Sequence, residues 1–121
     1  MLLEGRVAVV SGVGPGMGRD ISLALAGAGA DLVLGARTPS ALEAVGEQVE
    51  ALGRQVRCVP TDITDPDQCR RLVDAASGLG RVDVLVNNAF AEVDGEWRFT
   101  DRLIFSDLVG DLSHHLRQNP L

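Results

Sequence analysis

The chain contains no tyrosine and no lysine, so all 11 of its basic residues are arginines. These absences remove every phenol and every ammonium side chain from the candidate acids and bases. The arginines are scattered and the net charge is −6. Phosphate-backbone binding needs clustered cations, so no nucleic-acid partner is expected. Cysteine is scarce as well. Cys58 and Cys69 have no metal-ligand spacing and no second pair, and read as reduced, inert thiols of an intracellular protein, with no metal site. No stretch approaches the roughly 18 uninterrupted apolar residues of a membrane span. The start, Met1-Leu2-Leu3-Glu4-Gly5-Arg6, is followed by an apolar run too short for a signal peptide. A cytoplasmic protein without a membrane partner is the expectation.

What is present is ordinary for a globular domain: 121 residues, 45% apolar and 23% charged. Four short apolar runs, Val7–Val10, Leu32–Leu34, Val56–Val59 and Val82–Val86, alternate with helical stretches. Their continuous apolar character, rich in β-branched residues, predicts strands of a parallel sheet buried on both faces. The first helix is predicted from Gly16 to a stop at Gly29. The second is predicted to open on a capping box, Ser40 with Glu43, just after a proline, and to end at Gly53. The third has Asp65 as N-cap, Pro66 first and Gln68 third, and closes around Gly78-Leu79-Gly80. This alternation predicts an α/β fold, a Rossmann-like doubly wound sheet of about four strands in the order 3-2-1-4 with flanking helices. Residues 1–121 read as a single domain, its βαβαβαβ core spanning 1–90. Residues 92–98 are polar and predict a loop. Leu103, Ile104, Leu108, Leu112 and Leu116 then predict a terminal helix over 101–118.

The candidate site is the turn Ser11-Gly12-Val13-Gly14-Pro15-Gly16-Met17-Gly18, directly after the first strand and before the first helix. A dinucleotide pyrophosphate needs close backbone approach, which a Cβ prevents, and free N–H groups from a helix start. Gly12 suits the tight turn, Gly16 the close approach, and Gly18 the packing of helix on strand.

The spacing Gly12-x-x-x-Gly16-x-Gly18 resembles the T-G-x-x-x-G-x-G turn of the short-chain dehydrogenase/reductase family, with Ser11 keeping the hydroxyl of its threonine. Asp62-Ile63 resembles the family's adenine contact, a carboxylate for the exocyclic amine and a backbone N–H for a ring nitrogen. Asn87-Asn88-Ala89 resembles its N-N-A-G, with Phe90 in place of the glycine. There the first asparagine helps hold the central sheet, and Asn88 and Ala89 pass under the adenosine ribose. The resemblance covers about the first 90 residues, and implies an incomplete form of the family's Rossmann domain.

NAD binders place an acid at the end of the second strand for the ribose hydroxyls. Here Ala36 stands at that place and Arg37 follows. A guanidinium there pairs with a 2′-phosphate and stacks on adenine, which favours NADP(H) over NAD(H). The missing acid also weighs against a methyltransferase.

The resembled family transfers hydride between the nicotinamide and a carbonyl or alcohol, using a Tyr-x-x-x-Lys pair that this sequence cannot hold in any register. The cation lowers a phenol pKa that is otherwise near 10. Asp107-Leu108-Val109-Gly110 resembles the family's N-L-x-G, with Asp107 replacing the asparagine of a proton relay. On that alignment the chain stops just before the strand carrying the catalytic serine, leaving truncation, gene decay and frameshift open. His114 and His115 read as solvated residues at a helix end, and Trp97 and Phe99 as packing over a sheet edge or loop. The expectation is an oxidoreductase represented by its cofactor-binding portion. The alternatives are a non-catalytic dinucleotide-binding module or partner subunit, in an oligomer or with a complementing chain. The carbonyl or alcohol substrate is unassigned.

Overall fold

The computed structural model describes residues 1–93 and 96–99, with side chains through residue 89. Strand β1 (Val7–Ser11) leads to helix α1 (Met17–Gly27), followed by β2 (Asp31–Ala36), α2 (Pro39–Ala51), β3 (Val56–Pro60), α3 (Pro66–Ser77) and β4 (Val84–Asn87). The four strands form a parallel sheet in the order β3-β2-β1-β4, the expected Rossmann-like topology. The register runs Val7↔Asp31 to Ser11↔Gly35 between β1 and β2, and Ala8↔Val84 to Ser11↔Asn87 between β1 and β4.

Successive strand residues point to opposite faces, and here both faces are covered. Val7, Val9 and Val33 pack with Cys69, Leu72, Val73 and Ala76 of α3. Ala8, Val10, Leu32 and Leu34 pack with Ala26 of α1 and with Leu42, Val45 and Val49 of α2. This explains why the central strands are apolar without alternation. Each fully buried valine or leucine contributes about 1.5–3 kcal/mol, enough for the two core clusters to fix the layers. No helix among the described residues is long and apolar enough to cross a membrane.

Three parts of the sequence reading are corrected. Helix α2 begins at Pro39, with Thr38 as an extended N-cap whose side chain makes no capping hydrogen bond. Proline fixes a helical φ and has no N–H to satisfy, so it starts the helix and puts Ser40 inside the first turn, where the capping box cannot form. Strand β4 begins at Val84 because the Asp83 carboxylate is turned back onto the Val7 N–H, at 2.9 Å. The loop expected over 92–98 contains an antiparallel hairpin, β5 (Phe90–Val93) and β6 (Glu96–Phe99), with Phe90 opposite Phe99 and Val93 opposite Glu96. Phenylalanine, valine and tryptophan favour extended backbone, a preference that outweighs the polar residues among them. The helix expected over 101–118, with Asp107, His114 and His115, lies outside the described residues, as do the side chains of Trp97 and Phe99.

Candidate functional site

The carboxyl ends of the parallel strands open onto a cavity of about 960 Å³, and its lining combines residues from all four strand ends. Ligands of open α/β sheets bind in this position, where the strand order reverses on either side of β1. Ser11, the last residue of β1, is buried at 2% exposure and contributes to the lining. Gly12 follows with φ +99°, a conformation side chains rarely adopt, and a Cβ there would lie 2.3 Å from the Ala89 nitrogen. The expected tight turn is therefore present. The Gly12 and Val13 N–H groups both donate to the Gly35 carbonyl, at 2.8 and 3.1 Å, which ties the turn to β2.

Helix α1 then starts at Met17 with Gly16 as N-cap and no side-chain capping bond. A helix start leaves unpaired N–H groups, and glycine has no side chain to satisfy them. That end carries partial positive charge and free donors, the ordinary means of holding an anion. A Cβ on Gly14 or Gly16 would touch nothing within 4 Å, so packing within the protein does not require glycine there. Gly18 differs: its Cβ would fall 2.3 Å from the Gly12 carbonyl oxygen, and its own carbonyl accepts the Ser22 hydroxyl at 2.7 Å. It is glycine so that helix and turn pack closely, as expected.

On the β2 side the cavity is lined by Ala36, Arg37 and Thr38, with Ala41 from the first turn of α2. Arg37 is exposed, and its charge acts on Asp62 across the cavity. The side-chain and backbone hydrogen bonds from Thr64, with a smaller contribution from Arg37, hold the Asp62 carboxyl below its usual range despite some burial. Asp62 is therefore an anion at neutral pH. The Ile63 N–H has no hydrogen-bond partner among the described residues.

From β4, the Asn88 N–H donates to the Ser11 carbonyl at 2.8 Å and its side-chain amide to the Gly12 carbonyl at 3.0 Å. Of the asparagine pair, Asn88 is thus the one that ties the turn to β4. Asn87 is exposed, and its side chain makes no hydrogen bond among the described residues.

One cavity therefore brings together Ser11, Gly12, Gly14, Arg37, Asp62, Ile63, Asn88 and Ala89. Gly16, Met17 and Gly18 stand at the adjoining helix start outside the lining, and the Met17 side chain is exposed. The sequence reading missed Thr38, Thr61 and Thr64. An Asp-x-Thr pattern before a helix is a turn signal, and it could have found Thr64.

Among the described residues, the lining holds no histidine or cysteine. Burial, followed by the charges of Glu50 and Glu43, pushes the Cys58 thiol up and keeps it protonated. No group of residues that could hold a metal occurs among the described residues. The arrangement suits an elongated ligand with an anionic centre, a second anion near Arg37 and a polar ring near Asp62.

A family model described as short chain dehydrogenase matches residues 6–108. An uncharacterised oxidoreductase of Mycobacterium tuberculosis is 44% identical over 87 residues, 71% of this chain and 33% of the relative. The 7alpha-hydroxysteroid dehydrogenase of Escherichia coli K12 is 39% identical over 88 residues, 72% of this chain and 34% of that enzyme. The chain thus spans about a third of the length of these curated relatives. A 7alpha-hydroxysteroid dehydrogenase solved with NADH and 7-oxo glycochenodeoxycholic acid superposes with a TM-score of 0.70 and 37% identity, covering 75% of this chain and 36% of that one.

Proposed function

The chain belongs to the short-chain dehydrogenase family, and on that premise we propose that it binds NADP(H) at the carboxyl ends of its sheet as the cofactor-binding portion of a carbonyl- or alcohol-directed oxidoreductase. The observation that carries this reading is the uncapped start of α1 beside a cavity whose β2 side holds Arg37 and, among the described residues, no acid.

The residues divide the ligand by its chemistry. The free N–H groups at Gly16, Met17 and Gly18 hold the pyrophosphate, and the open space at Gly14 and Gly16 admits it. Arg37 pairs with the 2′-phosphate through a planar, permanently charged fork, and Ser11 supports the turn. Asp62 accepts from the adenine amine, the Ile63 N–H donates to a ring nitrogen, and Asn88 and Ala89 pass beneath the ribose. When bound, the nicotinamide supplies or accepts the hydride. The described core, with residues 91–121, acts as one partial domain.

The family's acid–base pair is not among these 121 residues, which lack tyrosine and lysine. Hydride transfer in a complete assembly draws that pair from polypeptide outside them, in the same chain or a complementing one. The same absence favours a second reading, a dinucleotide-binding module or partner subunit without turnover of its own.

Calorimetric titration of the 121-residue chain with NADPH and NADH tests the cofactor assignment. NADPH is expected to bind at least about tenfold tighter, a difference of roughly 1.4 kcal/mol. Arg37→Ala should weaken NADPH and leave NADH nearly unchanged. Equal or tighter binding of NADH would overturn the preference. Binding of neither would remove the cofactor reading.

A further inference from the structure

The loop between β3 and α3 has almost all of its polar groups committed. The Thr61 N–H donates to the Ala36 carbonyl at 2.8 Å, and the Thr61 hydroxyl to the Val59 carbonyl at 2.7 Å. The Asp62 N–H donates to Gln68 Oε1 at 2.8 Å, and Gln68 Nε2 donates to Asp65 Oδ2 at 3.1 Å. The Thr64 N–H and hydroxyl both donate to Asp62 Oδ1, at 2.9 and 2.7 Å. The Asp65 N–H closes the turn on the Asp62 carbonyl at 3.0 Å, and the Cys69 thiol donates to the Ile63 carbonyl at 3.5 Å. Two groups of the Asp62-Ile63 pair remain without a partner among the described residues, the acceptor Asp62 Oδ2 and the donor Ile63 N–H. Both residues line the cavity.

We infer that Thr64 and Gln68 are positioning residues that lock Asp62 and Ile63 into a fixed acceptor–donor pair, selecting a 6-aminopurine over a 6-oxopurine. The inference rests on the placement of adenine against Asp62 and Ile63 given above. A 6-aminopurine offers an amine beside an acceptor nitrogen, the complement of the pair. A 6-oxopurine offers a carbonyl beside a ring N–H, which sets acceptor against carboxylate and donor against donor. Leaving such groups unpaired in a site built for hydrogen bonds is what makes discrimination large. Discrimination also requires a carboxylate that neither swings away nor takes up a proton, because a protonated carboxyl donates to a 6-oxo group.

Gln68, from the first turn of α3, fixes the backbone of Asp62, while Thr64 holds one carboxylate oxygen and leaves the other outward. The charged groups around Asp62 are Arg37 from the end of β2 and Asp65 in its own loop. The Asp65 carboxylate is itself occupied by Gln68 and by the N–H groups of Asp67 and Gln68. The Thr64 bonds hold the Asp62 carboxyl below its usual range, so removing the Thr64 hydroxyl moves its protonation to higher pH.

The test compares NADPH with its hypoxanthine analogue by calorimetry at pH 7, on the 121-residue chain and on Thr64→Val, Thr64→Ser and Gln68→Ala. Wild type should prefer NADPH by at least about tenfold. Thr64→Val and Gln68→Ala should cut that preference to about threefold or less, mainly by weakening NADPH. Thr64→Ser, which keeps the hydroxyl, should restore it. Thr64 is exposed, and melting curves of all three variants check that the fold is intact. Wild-type preference in both Thr64→Val and Gln68→Ala would overturn the positioning role and leave the cofactor reading standing. If wild type binds neither nucleotide, the cofactor reading falls and takes this one with it.

Discussion

Gly12 and Gly18 have no room for a side chain, whereas Gly16 has room that the protein does not use. The difference makes the turn open to dissection residue by residue. An alanine at Gly12 would combine a positive φ of +99° with a Cβ 2.3 Å from backbone, and backbone cannot step aside as a flexible side chain would. Gly12→Ala should lower the unfolding free energy by at least about 2 kcal/mol, read from the urea midpoint at constant slope. Gly18→Ala, blocked by the Gly12 carbonyl, should cost about 1–3 kcal/mol. Gly16→Ala meets no protein atom, so its stability cost should stay under about 1 kcal/mol while NADPH affinity drops at least about tenfold. A Gly16→Ala protein that binds normally would show that the ligand does not approach the start of α1. The packing roles of Gly12 and Gly18 were legible because the turn sits between an apolar strand and a helix. Thr64 and Gln68 were not, because their part depends on the direction in which each side chain bonds, and residue spacing does not carry that.

Two helix starts with similar text behave differently at the scale of elements. Both α2 and α3 open on proline, preceded by Thr38 and Asp65. Only Asp65 caps: its Oδ1 accepts from the Asp67 and Gln68 N–H groups at 2.9 and 3.4 Å, and Asp67 adds a negative charge to the first turn. Asp65→Ala should therefore cost about 1 kcal/mol, and Thr38→Ala only a few tenths, in chemical denaturation. Equal costs would mean that Thr38 caps in solution. The sequence reading named Asp65 correctly and gave α2 a capping box at Ser40 and Glu43, because the spacing of such a box says nothing about which residue starts the helix. Proline decided that. The two central strands were legible for a different reason: burial on both faces leaves an unbroken apolar run, whereas β3 is largely exposed and β4 only half-buried, so the expected burial on both faces does not extend to them. The hairpin of β5 and β6 lacks that signature, and its polar residues read as loop. Arg37 and Asp62 were found from opposite ends of the argument, one by a missing acid and one by resemblance, and the fold lines one cavity with both.

Across the whole molecule, the strand ends opposite the cavity are held by a charged clasp. Arg6 precedes β1 and Asp83 precedes β4. The Asp83 carboxylate accepts from the Val7 N–H at 2.9 Å, from Arg81 at 2.6 Å and from Arg6 at 3.4 Å. Burial alone would push the Asp83 carboxyl up, but the Arg81 and Val7 hydrogen bonds and the two arginine charges together hold it below its usual range. A carboxyl whose pKa is lower folded than unfolded stabilises the fold fully above the unfolded value, about 3.9, and loses that contribution as pH falls through the folded value. The arginines remain charged throughout, so the acid limb reports the carboxylate. Asp83→Asn should lower stability at pH 7 by on the order of 1 kcal/mol, since the Arg81 and Arg6 side chains are half exposed and water screens such pairs. The gap between wild type and Asp83→Asn should hold from pH 7 to about 5 and narrow below about 4, because protonated aspartate and asparagine are both neutral there. Urea unfolding of both proteins from pH 3 to 7 measures that gap directly. A gap that stays constant down to pH 3 would mean that the cost of Asp83→Asn does not come from the carboxylate charge, and that the ion pairs of the clasp contribute nothing. A gap that closes would show that the Asp83 charge helps hold the start of β4 to the sheet, opposite the end that Asn88 ties to the glycine turn.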